Sequence, residues 1–449
     1  MSSPTTNPKR PKLTLTQWGI CAIACVGFLF DTFVLLVLTL VVQPALVELL
    51  GTKPGSVIFN HWVGMLFYVP AVAGGIFGLL GGYLIDRLGR RRVLLWSIVL
   101  PAFATLATAF ARTPMQLLVL RSLTFVGVSV EFVASTAWLA ELFPIREQRE
   151  AILGYTQGFS SLGGIVMSGA YYVAVTFSQH FPVVYGAHDA WRYTLMLGIL
   201  PAIPVLLILP FLPESPIWLR KKKEGTLKRP SVLELFHPKF RKTALLTCLM
   251  MACAYAASFG MLQHFARIIP GTPGVRVLSH AAQQQQVGTL QGWQEFGGLL
   301  GRFLMAFLAV RMLSRQKLLR MFQIPGLVLI PFVVLLPAVR DMDMSTWGIF
   351  LLGLVSVAQF NFWGNYLPLV YPVHLRGTGE SFAANIGGRM LGTSAALITT
   401  NIVTYMPGGT AARQLAYAAG IVGFLAYAIG FIASFWLPEP GQDAAADYQ

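Results

Sequence analysis

The stretch "GGYLIDRLGRRRVL", residues 81–94, decides how the chain is read. Asp86, Arg87, Arg90, Arg91 and Arg92 crowd into seven residues directly after a glycine-rich apolar run, in a chain that is 55% hydrophobic and only 11% charged. A soluble protein carries about a quarter of its residues as Asp, Glu, Lys or Arg. With a mean hydropathy of +0.64, 31 Phe and 10 Trp, these 449 residues hold more apolar surface than one water-solvated core absorbs. A bilayer is the natural solvent for such a chain. The crowded charges then mark a place where it leaves hydrocarbon.

The net charge of +15 raises nucleic acid as a partner. The basic residues, however, lie between apolar runs rather than along one face or tail. That points to lipid and membrane topology, with no nucleic-acid partner. Cys21, Cys25, Cys248 and Cys253 all sit inside apolar runs and read as reduced core residues. A metal site made of all four needs two pairs from segments far apart in sequence, so neither metal nor cofactor is expected. No cleavable signal peptide is evident: the first 16 residues are polar, with Lys9, Arg10 and Lys12, and the first apolar run is too long for an h-region.

Runs long enough to cross about 30 Å of hydrocarbon fall near 17–44, 57–85, 93–111, 114–140, 150–177, 191–212, 241–267, 286–310, 317–338, 345–370, 379–405 and 412–437. The predicted organisation is an N-tail (1–16), a six-helix bundle (17–212), a basic linker (213–240) with a short amphipathic piece around "SVLELF", a second six-helix bundle (241–438) and a C-tail (439–449). With the N-terminus inside, the inner segments carry 23 Lys and Arg and the outer segments seven; Arg121, Arg302 and Arg389 fall within spans. That bias places both termini in the cytoplasm of an inner or plasma membrane.

The halves read as copies. Shifted by 224 residues, "AGGIFGLLGGYLIDRLGRRRVL" falls on "GGLLGRFLMAFLAVRMLSRQKL", with Arg87 on Arg311 and Arg91 on Arg315. Asp86 meets Val310 and Gly89 meets Leu313, so the second copy is degraded. "ELFPIREQR" (141–149) pairs in the same way with "LVYPVHLRG" (369–377). The predicted fold class is an all-α integral membrane protein of 12 transmembrane helices in two pseudo-symmetric six-helix bundles. Duplication of six spans is a transporter signature, since a polar path can form between the halves.

The pattern G-x-x-x-D-R-x-G-R-R, carried by Gly82, Asp86, Arg87, Gly89, Arg90 and Arg91, resembles the cytoplasmic signature of the major facilitator superfamily. "RSLTFVGVSVEF" (121–132), "WLAELFPIREQRE" followed by "GYTQGFSSLGG", "PESPIWL" (213–219) and "NIGGRMLG" (385–392) resemble further pieces of its sugar-porter and metabolite:proton-symporter branches. The resemblance implies a monomer working by alternating access. It also implies a cytoplasmic gate in which Asp86 and its arginines, with Glu141 and Arg149, latch the two halves. Glycines suit the tight turn and close helix approach there, and a carboxylate at the membrane edge suits a helix N-terminus and nearby guanidinium groups.

Charges inside spans are costly and point to function. Asp31 lies mid-span in "GFLFDTFVLL" and Glu131 mid-span in the fourth run, with Arg121 nearer its outer end. An apolar environment favours the neutral form of a carboxyl, which suits a proton carrier. Asp31, Glu131 and Arg121 are therefore the predicted proton-coupling residues, an Asp31–Arg121 ion pair being the bland alternative. Arg389, whose guanidinium can bind a carboxylate bidentately, heads the predicted substrate site. Gln157, Gln263, His264, Gln359, Asn361, Trp363 and Asn365 join it; Asn361 and Asn365 are four apart and share one helical face. Glu295 and Arg302 read as structural pairing or packing, and His61 as a solvated histidine.

No Walker loop, HExxH or paired-Cys motif is present, and "GGLLGR" follows no strand, so no enzyme is expected. The function expected is transport of a small organic anion or related metabolite, coupled to protons. A proton-coupled sugar or polyol transporter is the alternative. Against it, "GMLQHFARIIP" lacks the paired glutamines of sugar porters and Leu369 stands where they carry Glu. A drug exporter and a non-transporting membrane sensor rank behind.

Overall fold

The computed structural model describes residues 13–143, 152, 156, 158–208, 211–224, 231–312, 314–372 and 375–439, with Gly82, Tyr83, Asp86, Ala137, Ala140, Ile217, Lys221, Val310 and Pro368 described by backbone alone. Regular structure among these residues is helical, apart from a lone bridge between Val184 and Ala187. Six helices come from the first half: α1 (Leu15–Leu50), α2 (Val57–Leu88), α3 (Arg90–Thr108), α4 (Pro114–Leu142), α5 (Ser161–Phe177) and α6 (Ala190–Ile208). Six come from the second: α7 (Arg241–Gly271), α8 (His280–Arg311), α9 (Arg315–Arg340), α10 (Thr346–Val370), α11 (376–402) and α12 (Ala411–Trp436). Ten are long and apolar enough to cross a bilayer. The other two, α8 and α11, carry the interior charges Glu295, Arg302 and Arg389. The twelve-helix expectation therefore holds.

Local chemistry sets the boundaries. Ser or Thr side chains accept from backbone N–H groups at the starts of α1 (Thr14), α2 (Ser56), α4 (Thr113), α8 (Ser279), α9 (Ser314), α10 (Ser345) and α12 (Thr410). These caps satisfy donors that each helix leaves open. Two helices break where polar residues gather. The regular part of α7 ends at Gly260 and continues through a tight turn, Leu262–His264. In α11 the segment Ala383–Gly392 is wound as a π-helix and carries Arg389. The polar residues at both irregularities, Gln263, His264, Asn385 and Arg389, are buried within protein.

Within the first bundle α2 and α3 pack along α4; in the second, α8 packs along α10 as α2 does on α4. Gly297 and Gly301 of α8 lie against the α10 backbone at Phe350 and Leu354, where a Cβ would collide. Between the bundles α5 meets α8 and α2 meets α11.

The internal copy extends to "LPE", which occurs at 212–214 and again at 437–439. Leu212 and Pro213 carbonyls accept from Arg91 (2.8 Å) and Trp138 (3.1 Å); Leu437 and Pro438 carbonyls accept from Gln316 (2.6 Å) and Tyr366 (2.6 Å). Glu214 accepts from the Arg91 N–H at the start of α3 (3.2 Å), and Glu439 from the Arg315 N–H at the start of α9 (2.8 Å). Each bundle thus closes its last helix onto the start of its third with one carboxylate.

Candidate functional site

The opening stretch spans the turn from α2 to α3. Gly89 has φ +101°, a conformation that excludes side chains, and a Cβ there would sit 2.6 Å from Glu214 Oε2. The sequence reading put Asp86 at the helix N-terminus. In the structure Glu214 holds that place, while the Asp86 side chain lies outside the described residues. Arg90 donates to Glu141 (2.8 Å) and stands 5.9 Å from the Trp218 ring; Arg91 donates to the Leu212 carbonyl. Arg87 is exposed, Gly82 is described by backbone only, and Arg149 lies outside the described residues. The described partners of Arg90 and Arg91 all belong to the first half. These contacts tie α2, α3, α4 and the segment after α6 together; the Asp86 side chain and Arg149, on which the expected latch between halves also rests, lie outside the described residues.

The interior charges form two clusters. In the first, the carboxyl groups of Asp31 of α1 and Glu131 of α4 are buried within interaction range of each other, and Arg389 of α11 is close enough to act on Asp31 electrostatically. Asp31 and Arg389 are each 6% exposed and Glu131 1%. Arg389 also donates to Asn385 Oδ1 at 2.5 Å, one turn away. The π-helical segment carries Arg389 and so brings a charge of the second bundle within electrostatic reach of Asp31 of the first.

Arg121 does not belong to this cluster. It donates to the carbonyls of Val34 and to Leu35 (2.6 Å) on α1, and its guanidinium lies 4.7 Å from the Phe125 ring. Its placement is that of a helix-packing cation, not of a partner for Asp31 or Glu131.

The second cluster lies where α8 meets α5, α7 and α10. Glu295 accepts from Gln291 (2.9 Å) and Gln294 (3.2 Å), and α5 approaches it at Gly164. Arg302 donates to Ser160, and Asn361 donates to the Arg302 carbonyl (3.1 Å). Tyr255 of α7 stacks on Phe259 and meets Phe360 edge-on. The glutamines of "LQGWQE" carried the available signal for this cluster, Gln291 standing three residues before Gln294 and four before Glu295; Tyr255 had none.

The remaining predicted substrate residues do not converge. Gln359 sits beside Tyr427, whose hydroxyl meets Ser356 at 2.7 Å. Trp363 is 1% exposed, packed edge-on against Phe362 and Tyr366 in the second bundle's core. Of the two α10 asparagines, Asn361 is buried and Asn365 is exposed. Gln157 lies outside the described residues. Gln263 accepts from Thr39 of α1, and His264 Nδ1 is 3.3 Å from Arg267, whose other terminal nitrogen donates to Asn60 of α2 (2.7 Å). Those two residues belong to a junction that holds the bundles together at the end opposite the α2–α3 turn.

Comparison with known proteins accords with this architecture. The Major Facilitator Superfamily pattern matches residues 20–397. The chain is 26% identical to the "Probable 4-methylmuconolactone transporter" of Cupriavidus pinatubonensis over 84% of its own length and 82% of the relative's. It is 22% identical to the sialic acid transporter NanX of Escherichia coli over 89% of each chain. An arabinose-proton symporter of Bacillus subtilis is 29% identical, but over only 33% of this chain and 31% of its own. The solved structure of a D-xylose-proton symporter shares the fold, with a TM-score of 0.71 at 17% identity, covering 94% of this chain and 98% of that one. The match runs from the first helix into the eleventh on a twelve-helix chain of this fold, so the protein belongs to the Major Facilitator Superfamily and is a multi-pass membrane transporter, not an enzyme.

Proposed function

We propose that this protein is a proton-coupled symporter of a small organic anion. The observation that carries the reading is the Asp31–Glu131 carboxyl pair with Arg389 of the other bundle beside it. Two buried carboxylates side by side cannot both ionise without a large electrostatic cost, so the pair is suited to holding one proton. A guanidinium beside that proton is a bidentate receptor for a substrate carboxylate. A bound anion and a proton on the pair attract each other, so each strengthens the binding of the other. At about 7 Å and an effective dielectric of about 20 the attraction is roughly 2.4 kcal/mol, which makes binding of the two strongly interdependent.

Two relatives matching most of the chain support the anion class over sugars: one is named for sialic acid and the other for 4-methylmuconolactone, whereas the arabinose symporter matches a third. We assign the tails 1–16 and 439–449, the linker 213–240 and the α2–α3 turn to the cytoplasm, on the Lys and Arg bias. Bundles 17–212 and 241–438 alternate around the Arg389 cluster in a monomer.

The test is uptake into proteoliposomes under an inward proton gradient, with benzoate and sialic acid against L-arabinose. Accumulation of a carboxylate and not of arabinose is expected. Accumulation of arabinose alone overturns the substrate class.

A further inference from the structure

At the end opposite the α2–α3 turn, about 300 Å³ of cavity lies between the two bundles. Gln43, Phe59 and Asn60 line it from the first bundle; Arg267, Arg276 and Leu415 line it from the second. We propose that this cavity is a second carboxylate-binding site, separate from the Asp31–Glu131–Arg389 cluster, in which Arg267 is the ligand and its hydrogen bond to Asn60 is the contact an arriving anion displaces.

Buried charges are ordinarily paired, because an unpaired one forfeits its hydration. Arg267 is 6% exposed, yet no carboxylate pairs with it among the described residues. Its partners are all uncharged acceptors or rings: Asn60 Oδ1 at 2.7 Å, His264 Nδ1 at 3.3 Å and the Phe59 ring at 5.5 Å. Its Nε has no partner among the described residues. Arg267 lines the cavity, and a carboxylate would satisfy the terminal donor now held by Asn60 better than an amide oxygen does. Arg276 lies at the rim and is 47% exposed; its contact with Asp341, at 3.5 Å, is half in water and leaves it able to draw anions inward.

The walls select an organic ion rather than an inorganic one. Phe59, Pro270 and Leu415 add apolar surface to the lining beside the polar groups, and its volume sits at the lower limit of small-molecule sites. Occupancy has a mechanical consequence. The Asn60–Arg267 bond, with the Thr39–Gln263 bond beside it, joins α2 and α1 to α7. An anion that takes Arg267 from Asn60 loosens that junction. On the orientation proposed above, this end faces outside, so the site would admit substrate and weaken the closure in one step.

The experiment is calorimetric binding of benzoate to purified protein carrying Arg389→Lys, so that the proposed central site is weakened in every sample. Benzamide and inorganic phosphate are the controls. Adding Arg267→Gln is expected to abolish the remaining benzoate binding. Asn60→Ala, which removes the competing acceptor, is expected to tighten it about tenfold, and carries the test if the Arg267 variant does not fold. Benzoate binding unchanged by Arg267→Gln, binding unchanged or weakened by Asn60→Ala, or equal binding of benzamide overturns the proposal. Arg267-dependent binding of phosphate in place of benzoate overturns the organic class. Failure of the central-site reading shows separately, as an Arg389→Lys variant that transports like the parent.

Discussion

Replacing Gly89 by Ala should destabilise the first bundle by two separable routes. The native conformation, φ +101° and ψ 152°, lies in a region open essentially only to glycine and costs another residue about 1–3 kcal/mol. The added Cβ also comes 2.6 Å from Glu214 Oε2 and 3.1 Å from the Trp218 ring. Trp218 is 5% exposed and packed, so the carboxylate gives way. It then loses its bonds to the N–H groups of Arg91 (3.2 Å) and Ser215 (2.9 Å), a loss of about 1.5–3 kcal/mol for a charge-assisted cap. Together the two routes cost roughly 2.5–6 kcal/mol. At about 2–4 °C per kcal/mol, the apparent melting temperature should fall by at least about 5 °C. Tryptophan-fluorescence melting in detergent reads this directly. Glu214→Gln, which keeps the shape and removes the charge, should cost about 1 kcal/mol. The double variant should cost less than the sum, because the cap is lost only once. A Gly89→Ala protein that melts with the wild type, or strict additivity with Glu214→Gln, refutes the reasoning.

The exposed counterpart of this cap, Glu439, accepts from Ser314, Arg315 and Gln316 at 2.6–3.0 Å; Glu439→Gln should lower the melting temperature less than Glu214→Gln, since water competes for its bonds, and the reverse order contradicts the ranking by burial. Orientation is checked by membrane-impermeant thiol labelling of sealed cells: Val277→Cys should react and Lys222→Cys should not, and the opposite pattern inverts the topology. Asp189, just before α6, has its carboxyl raised above the usual range by burial and then by the Glu48 charge, against the lowering effect of Arg192. The folded protein therefore holds that proton to higher pH than the unfolded chain does, and stability from this group is lost as pH rises through the raised value. Asp189→Asn should melt higher than wild type at neutral pH, with the gap closing near pH 3, below both values; a variant that melts lower at neutral pH contradicts the assignment.

The sequence carried the fold because hydropathy and duplication are one-dimensional signals: twelve apolar runs and a 224-residue shift need no contact information. It carried Asp31, Glu131 and Arg389 because a charge in hydrocarbon stands out whatever its partners. Partners were the part it hid. Arg121 stood as conspicuously inside a span as Arg389, yet its guanidinium rests on helix carbonyls, a distinction made only by which way α4 faces α1. Asp86 belonged to the recognised motif, whereas the carboxylate at the α3 N-terminus comes from Glu214, more than a hundred residues on. The α10 asparagines obeyed helical spacing, but the local fit of α8 buried one and left the other exposed. The π-helical winding that carries Arg389 has no periodicity to betray it, and the uncharged partners of Arg267 became visible only when α2 and α7 were seen together.

The central claim is that the Asp31–Glu131 pair carries the proton and Arg389 the anion. It is tested most directly by reconstituting Asp31→Asn and measuring, on one preparation, exchange of substrate between equal concentrations and accumulation driven by an inward proton gradient. The account predicts that exchange survives and accumulation is lost, while Arg389→Lys weakens substrate affinity in both assays. Asp31→Asn protein that still concentrates substrate under the gradient contradicts it.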